Sequence, residues 1–218
     1  DYPDLQVVIE QPVSRLKLLK RRMLRVGLWK VIGEILFMFY LLILRRLSRV
    51  HIRELIDDAG LSGKLPSGLF IQQYGSVNSE KCIAWLASQK PDVVVLNGTR
   101  IISPEVLSSC NALFLNTHCG ITPAYRGVHG GYWALYNGDR KNVGVTVHQV
   151  DAGIDTGEIV YQEVITVDEW DNFLTYPIKQ YIAGIPLMHR ALADVEAGRL
   201  CNVRRNDLPS AVWLHPTL

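Results

Sequence analysis

An amide and an imidazole follow an apolar run in the middle of the chain. Residues 112–115 read as a buried strand, and Asn116 and His118 come directly after it. In extended backbone, residues two apart point to the same side, so we expect these two side chains to face together. An amide donor can stabilise an oxyanion that develops on a carbonyl, and an imidazole can transfer a proton near neutral pH. The pair indicates carbonyl chemistry; a purely structural histidine is the alternative.

A tight loop with two carboxylates and two glycines follows a second predicted strand. The strand covers residues 143–150, and the loop covers residues 151–157 and includes Asp155. Ligands bind outside the carboxyl ends of strands in open α/β sheets, so we expect Asp155 to share one crevice with the amide and the imidazole. A carboxylate beside an imidazole can fix its tautomer or stabilise its cation. A solvated turn is the alternative.

Metal binding and thiol chemistry fit these residues less well. A calcium loop needs glycine at its sixth position and an oxygen donor at its third, whereas this loop has Thr156 and Gly153 there. Nothing in the spacing of the histidines fixes a zinc geometry. Cys119 points away from His118 in extended backbone, which makes a nucleophilic pair awkward. We therefore expect no metal.

Composition and charge indicate one globular domain. The chain has 218 residues, of which 48% are hydrophobic and 20% charged, which excludes a disordered or fibrous protein. Its net charge of +2 is too small for a protein that chiefly binds nucleic-acid phosphate. Its four cysteines form no CxxC pair and are too sparse for a disulfide scaffold, which indicates a reducing, cytoplasmic setting.

Short apolar runs alternate with helical segments along most of the chain. The predicted strands cover residues 5–9, 69–71, 92–96, 112–115, 143–150 and 158–164. Predicted helices lie between them, and a last one covers 173–196 with interruptions at Gly184 and Pro186. This alternation predicts an α/β fold with a three-layer, mostly parallel, Rossmann-like doubly wound sheet.

Residues 14–53 are unusually basic and apolar. They contain eleven lysines and arginines, a single acid, Glu34, and an uninterrupted apolar run over 35–44. Ten helical residues rise about 15 Å, half of a bilayer's hydrocarbon core of about 30 Å, so the run does not span a membrane. We expect residues 14–48 to be a helical insert that is buried in the core or in a homodimer interface. A peripheral membrane contact through 35–44 and a nucleic-acid face are the alternatives.

Together, these motifs resemble the signature of the folate-dependent formyltransferases. The family has Asn-x-His after a buried strand, then a proline-containing loop, then a strand that ends in Asp-x-Gly-x-Asp-x-Gly. The matching segments here are Asn116-Thr-His118, 123–127 and 147–157, and residues 97–103 are similar to the family's folate-binding segment. The resemblance covers about residues 92–165.

The resemblance implies transfer of the formyl group of 10-formyltetrahydrofolate, a co-substrate, to the amine of a small substrate without a metal. Asn116 would hold the formyl oxygen. His118 would stabilise the oxyanion and assist proton transfer, and Asp155 would position His118 and relay protons through water. The pterin would contact Arg100, Ile101, Ile102, Val150, Asp151, Ala152, Gly153 and Ile154.

The acceptor amine stays open at this point. The family usually has Pro-Ser-Leu-Leu-Pro after its histidine, where this chain has residues 119–123 as Cys-Gly-Ile-Thr-Pro. The family's opening strand and glycine-bearing loop find no match before Leu5, so we expect them to be missing from this sequence. We favour a nucleotide-linked amino sugar slightly over glycinamide ribonucleotide, and the low net charge disfavours initiator tRNA. A formyltetrahydrofolate hydrolase and a non-catalytic membrane- or partner-binding module are the further alternatives.

Overall fold

A computed structural model describes residues 2, 4–12 and 27–216 of the chain, with residues 28–30 and 34 described by their backbone only. The predicted helix start at Ser14 and the basic residues of 15–25 lie outside these ranges. In chain order the elements are β1 (Gln6–Glu10), α1 (Leu28–Leu47), α2 (Arg49–Asp58), β2 (Phe70–Tyr74), α3 (Glu80–Gln89), β3 (Val93–Leu96), α4 (Pro104–Leu107), β4 (Leu113–His118), β5 (Arg126–Gly127), α5 (Gly130–Tyr136), a 3₁₀ turn (Arg140–Asn142), β6 (Gly144–Gln149), β7 (Ile159–Val164), α6 (Tyr176–Glu196) and β8 (Val212–Trp213).

The main sheet has four strands in the order β3-β4-β6-β7. β3 and β4 are parallel, whereas β6 runs antiparallel to both of its neighbours, β4 and β7. Two further pairs, β1-β2 and β5-β8, are parallel. The predicted α/β class is confirmed, and three of the five ladders between these strands are parallel.

Apolar residues on both faces of the main sheet form separate core clusters. Phe114 of β4 packs with Cys82 of α3 and Val106 of α4 on one face. Its neighbour Leu115 points to the other face and packs with Met188 of α6. Helices therefore cover the sheet on both sides, which is the three-layer arrangement expected from the sequence.

Helix α6 is continuous, so the predicted interruptions at Gly184 and Pro186 are wrong. A Cβ atom added at Gly184 would lie 2.7 Å from Thr117 Cγ2 and 3.1 Å from Val145 Cγ2. Glycine thus lets the helix lie close to the sheet. Packing of this helix against β4, β6 and β7 outweighs the backbone hydrogen bond that Pro186 cannot make.

Helix α1 is largely exposed, so the expected burial of its apolar run in the core is wrong. Leu36, Phe39 and Ile43 are each more than half exposed. The opposite side of the helix lies against the rest of the chain through Phe37, whose ring contacts Phe173 edge-on at 5.1 Å. Within the described residues, no helix combines the length and the apolar character that crossing a membrane requires.

The start of β6 has room only for glycine, which gives a test of the sheet. A Cβ atom at Gly144 would lie 2.1 Å from the Glu163 carbonyl oxygen and 2.9 Å from Val164 Cα, both in the backbone of β7. We expect Gly144→Ala to lower the free energy of unfolding, measured in urea, by about 1–3 kcal/mol. Gly63→Ala is the matched control, because a Cβ atom there meets nothing within 4 Å. Equal stability of the two variants would contradict this register.

Candidate functional site

Asn116 and His118 lie on the same face of β4, as expected for residues two apart in a strand. Asn116 pairs in register with His148 of the antiparallel neighbour β6. His118 and His148 are both buried, with exposed fractions of 7% and 2%. An amide and two imidazoles from two adjacent strands thus lie on one face of the sheet.

The loop after β6 brings Asp155 to this surface. Its Oδ2 lies 3.4 Å from His118 Nδ1, and its Oδ1 lies 3.5 Å from His148 Nε2. Because β6 is antiparallel to β4, the two carboxyl ends do not meet at one sheet edge, and the loop must fold back over the face of β4. The structure therefore brings the three predicted side chains together by a route different from the expected one.

Local hydrogen bonds fix the conformation of this loop. The Asp151 carboxylate accepts from the Gly153 N–H at 2.9 Å and from the Thr156 hydroxyl at 2.6 Å. Asp155 itself has a φ of 49°, in the left-handed region that most residues avoid. Its Oδ2 accepts from the Gly127 N–H at 2.8 Å. The proline-containing loop thus holds the carboxylate that faces His118.

The hydrogen bonds of the two histidines assign their tautomers. His118 Nε2 lies 2.7 Å from the Tyr125 carbonyl oxygen, which can only accept, so Nε2 carries the proton and Nδ1 faces Asp155. His148 Nδ1 donates to the Gln149 carbonyl at 2.6 Å by the same logic. His148 Nε2 can then accept from Asn116 Nδ2 at 3.1 Å, which orients the amide.

Burial sets the charge of the site. Burial lowers the pKa of His118. The Asp155 charge and the hydrogen bond to the Tyr125 carbonyl raise this pKa, but by less than burial lowers it. Burial also tends to raise the pKa of Asp155, but its hydrogen bonds and the neighbouring imidazoles hold that pKa below its usual value. Near pH 7 a neutral imidazole therefore faces a carboxylate. Burial raises the pKa of Cys119 to about 11, so its thiol stays protonated and is no nucleophile.

These side chains line a cavity of about 1280 Å³. One side, which we name the β3 wall, consists of Leu96 and residues 98–102 with Val150, Asp151, Gly153 and Ile154. Of the predicted cofactor contacts, Ala152 is absent from the lining, whereas Arg100, Ile101 and Ile102 belong to it. The Arg100 guanidinium is already paired with Glu10 and with the carbonyls of Gln11 and Gly75.

The other side, which we name the aromatic wall, consists of His129, Phe173, Tyr176, Tyr181, Trp213 and His215. The His129 ring lies 4.9 Å from those of Phe173 and His215. Burial, reinforced by the charge of His215, lowers the pKa of His129 to about 4, so it is neutral near pH 7. Among the residues that the structure describes, the aromatic wall contains no lysine or arginine.

Sequence reasoning assigned no role to His148, Gly127 or the aromatic wall. His148 stands in a strand that is buried on both faces, and only the register with β4 shows that it meets Asn116. The wall draws on residues from 129 to 215, which no local pattern connects. No group of three or more His, Cys, Asp or Glu side chains within the described ranges could hold a metal ion.

Comparison with known proteins identifies related enzymes. A methionyl-tRNA formyltransferase of Chlorobium limicola is 29% identical over 143 residues, which cover 66% of this chain and 45% of that protein. The chain thus spans less than half of the length of this curated relative.

Two solved structures share the fold with a TM-score of 0.54 each. One is the formyltransferase PseJ from Anoxybacillus kamchatkensis in complex with UDP-4,6-dideoxy-4-formamido-L-AltNAc and tetrahydrofolate, at 24% identity over 66% of this chain and 74% of that one. The other is glycinamide ribonucleotide transformylase 1 from Symbiobacterium toebii, at 25% identity over 66% of this chain and 71% of that one. The formyl transferase family model matches residues 66–179, more than half of the sequence, and the chain therefore belongs to the formyl transferase family.

Proposed function

We propose that this chain transfers the formyl group of 10-formyltetrahydrofolate to the nitrogen of an amine. The observation that carries the proposal is the meeting of Asn116, His118 and Asp155 in one cavity. Membership in the formyl transferase family and a structural neighbour solved with tetrahydrofolate support it.

The reaction forms one bond and breaks one at the formyl carbon. The amine nitrogen attacks this carbon, negative charge develops on the formyl oxygen, and the bond to N10 of the folate then breaks. The amine loses one proton and N10 gains one. Such acyl transfer needs a hydrogen-bond donor for the oxyanion and a group that accepts and returns a proton, both of which side chains can supply.

The geometry gives each side chain one part of this work. Asn116 donates one amide hydrogen to His148, and its second amide hydrogen would donate to the formyl oxygen. His118 would accept the proton of the amine on Nδ1, because the carbonyl of Tyr125 already occupies Nε2–H. Asp155, 3.4 Å from Nδ1, would stabilise the imidazolium until the proton reaches N10.

We propose that the pterin binds along the β3 wall. Ile101, Ile102, Val150 and Ile154 supply apolar contacts there, and exposed backbone groups of the same segments can bond the ring. Arg100 would take part through its backbone, since its guanidinium is paired with Glu10. Asp151 would act by keeping the loop closed, since its carboxylate accepts the Gly153 and Thr156 hydrogen bonds.

The aromatic wall would then face the acceptor, for which we propose a nucleotide-linked amino sugar. Flat aromatic rings suit the apolar face of a sugar ring or of a base, and a nucleotide-linked amino sugar has both. A structural neighbour is named for its complex with a formylated nucleotide sugar. The net charge of +2 remains low for a tRNA-binding protein.

The chain carries this activity, we propose, as a single catalytic domain over residues 1–218 in the cytoplasm. The core clusters on the two faces share the main sheet, and together with the cavity they draw on elements from β1 to β8, which supports a single domain. The cysteines in the described ranges are free thiols, which suits a reducing compartment.

Removal of the oxyanion donor or of the proton acceptor tests the assignment. We expect Asn116→Ala and His118→Ala each to reduce kcat for formyl transfer by about 10²–10³, because the first variant loses the hydrogen bond to the formyl oxygen and the second loses the group that accepts the proton of the amine. Asn111→Ala and His189→Ala are matched controls at exposed positions and should keep the rate. Circular dichroism checks that all four variants fold. Wild-type rates for Asn116→Ala and His118→Ala would refute the proposal.

The pH dependence tests the partnership of His118 and Asp155. Activity should fall as His118 becomes protonated, at a pH below 6.5 because burial lowers its pKa. The Asp155 charge raises that pKa, so we expect Asp155→Asn to lower kcat and to move the acid limb of the pH–rate profile to still lower pH. Asp151→Asn, which alters the other loop carboxylate, should leave the limb in place. An acid limb that moves upward in Asp155→Asn would contradict this pairing.

A panel of acceptors tests the substrate class. With 10-formyltetrahydrofolate as donor, we expect formylation of nucleotide-linked amino sugars at kcat/KM values well above those for glycinamide ribonucleotide and methionyl-tRNA. A preference for glycinamide ribonucleotide or for methionyl-tRNA would overturn the proposed sugar acceptor but would leave the proposed formyl transfer standing. Formate release without any amine would instead identify a hydrolase, and the absence of turnover with every acceptor would favour a non-catalytic module.

A further inference from the structure

Helix α1 presents an exposed apolar surface, which we name the apolar arc. It comprises six side chains that are each more than half exposed: Leu36, Met38, Phe39, Leu42, Ile43 and Leu47. At 100° per residue these six positions cover about half of the helix circumference, and the side that carries Phe37 lies against the chain. Such a continuous apolar patch is unusual on a soluble surface and indicates an interaction site.

Four arginines lie at the carboxyl-terminal end of this arc. Arg45, Arg46, Arg49 and Arg53 line a groove of about 570 Å³ between α1 and α2, together with Leu42, Ile52 and Ile56. No described carboxylate lines this groove, and the acidic residues of α2 are not part of it. The described lining of the groove therefore combines apolar side chains with four guanidinium groups, which suits a phosphate group attached to an apolar chain.

We infer that α1 and the arginine groove dock the chain on an anionic membrane surface. The apolar arc would enter the boundary between headgroups and acyl chains, and the four guanidinium groups would meet lipid phosphates. Charge complementarity favours this occupant, because lipid phosphates supply the negative charge that the described lining of the groove does not contain. The sequence of 14–53 is also strongly basic, with eleven lysines and arginines and one acidic residue.

The docking surface adjoins the catalytic cavity. Phe37 of α1 contacts Phe173, which belongs to the aromatic wall. At the end of α1, Ser48 accepts a hydrogen bond from Asn172 at 2.9 Å, one residue before Phe173. A membrane held against α1 would thus lie beside the wall that faces the acceptor. The docking itself stands independently of the proposed function.

Sedimentation with vesicles tests this inference without any catalytic readout. We expect the full chain to sediment with vesicles of phosphatidylcholine and phosphatidylglycerol, to stay in solution with phosphatidylcholine alone, and to be released by salt. Leu36→Asp should weaken the vesicle binding by about 10- to 100-fold, the equivalent of one large apolar side chain. Arg45→Glu combined with Arg46→Glu should abolish the preference for anionic vesicles.

Leu65→Asp is the matched control, because Leu65 is 61% exposed and Leu36 is 57% exposed, and Leu65 lies outside the arc. It should bind vesicles like the unaltered chain. Equal binding to both kinds of vesicle, or equal loss in Leu65→Asp, would overturn the inference. The inference would also be overturned if the chain stayed in solution with anionic vesicles. This includes the case in which the chain forms a dimer and Leu36→Asp dissociates that dimer.

Discussion

The placement of a carboxylate against a buried neutral imidazole is the constraint on which the site depends. At 3.4 Å a protonated His118 and Asp155 would attract each other by about 5 kcal/mol at an effective dielectric constant of roughly 20. In the resting site this attraction is absent, because burial keeps His118 neutral. It arises only when the imidazole takes up a proton. In the proposed reaction, the pair would therefore stabilise the protonated imidazole that exists during proton transfer more than it stabilises the ground state, which is how an enzyme gains rate.

The turn that follows β4 holds His118, one partner of this pair, in place. A Cβ atom at Gly120 would lie 2.4 Å from the Tyr125 carbonyl oxygen and 2.7 Å from His118 Nε2, so the turn after β4 can close on the imidazole only with glycine there. The buried Thr146 hydroxyl secures this turn, since it donates to the Gly120 carbonyl at 2.7 Å and accepts from the Thr122 N–H at 3.2 Å. The buried Thr146 hydroxyl thus both donates and accepts a hydrogen bond.

Local sequence patterns predicted the six longer strands, but not β5 or β8, and they predicted the shared face of Asn116 and His118, because these features follow from the pattern of residues within a single element. The approach of Asp155 depends on the antiparallel register of β4 and β6 and on a left-handed φ at a non-glycine residue, neither of which a local pattern encodes. Helix α6 shows the reverse error. Proline and glycine predicted a break, but the packing of the helix against the sheet decides its continuity. The apolar run of α1 likewise predicted burial, whereas the described fold leaves it outside.

The chemistry and the acceptor specificity that we propose for the cavity draw on different parts of the chain. The catalytic side chains and the β3 wall lie within residues 66–179, the range that matches the formyl transferase family. The aromatic wall draws in addition on Tyr181, Trp213 and His215, which lie beyond that range, and it rests on α1, which lies before it. Gly127 of β5 pairs with Trp213 of β8, and its N–H donates to the Asp155 carboxylate. The backbone of β5 therefore positions both Asp155 and Trp213. If the proposed assignments hold, a change in the flanking segments would alter the acceptor and leave the proposed site of formyl transfer unaltered.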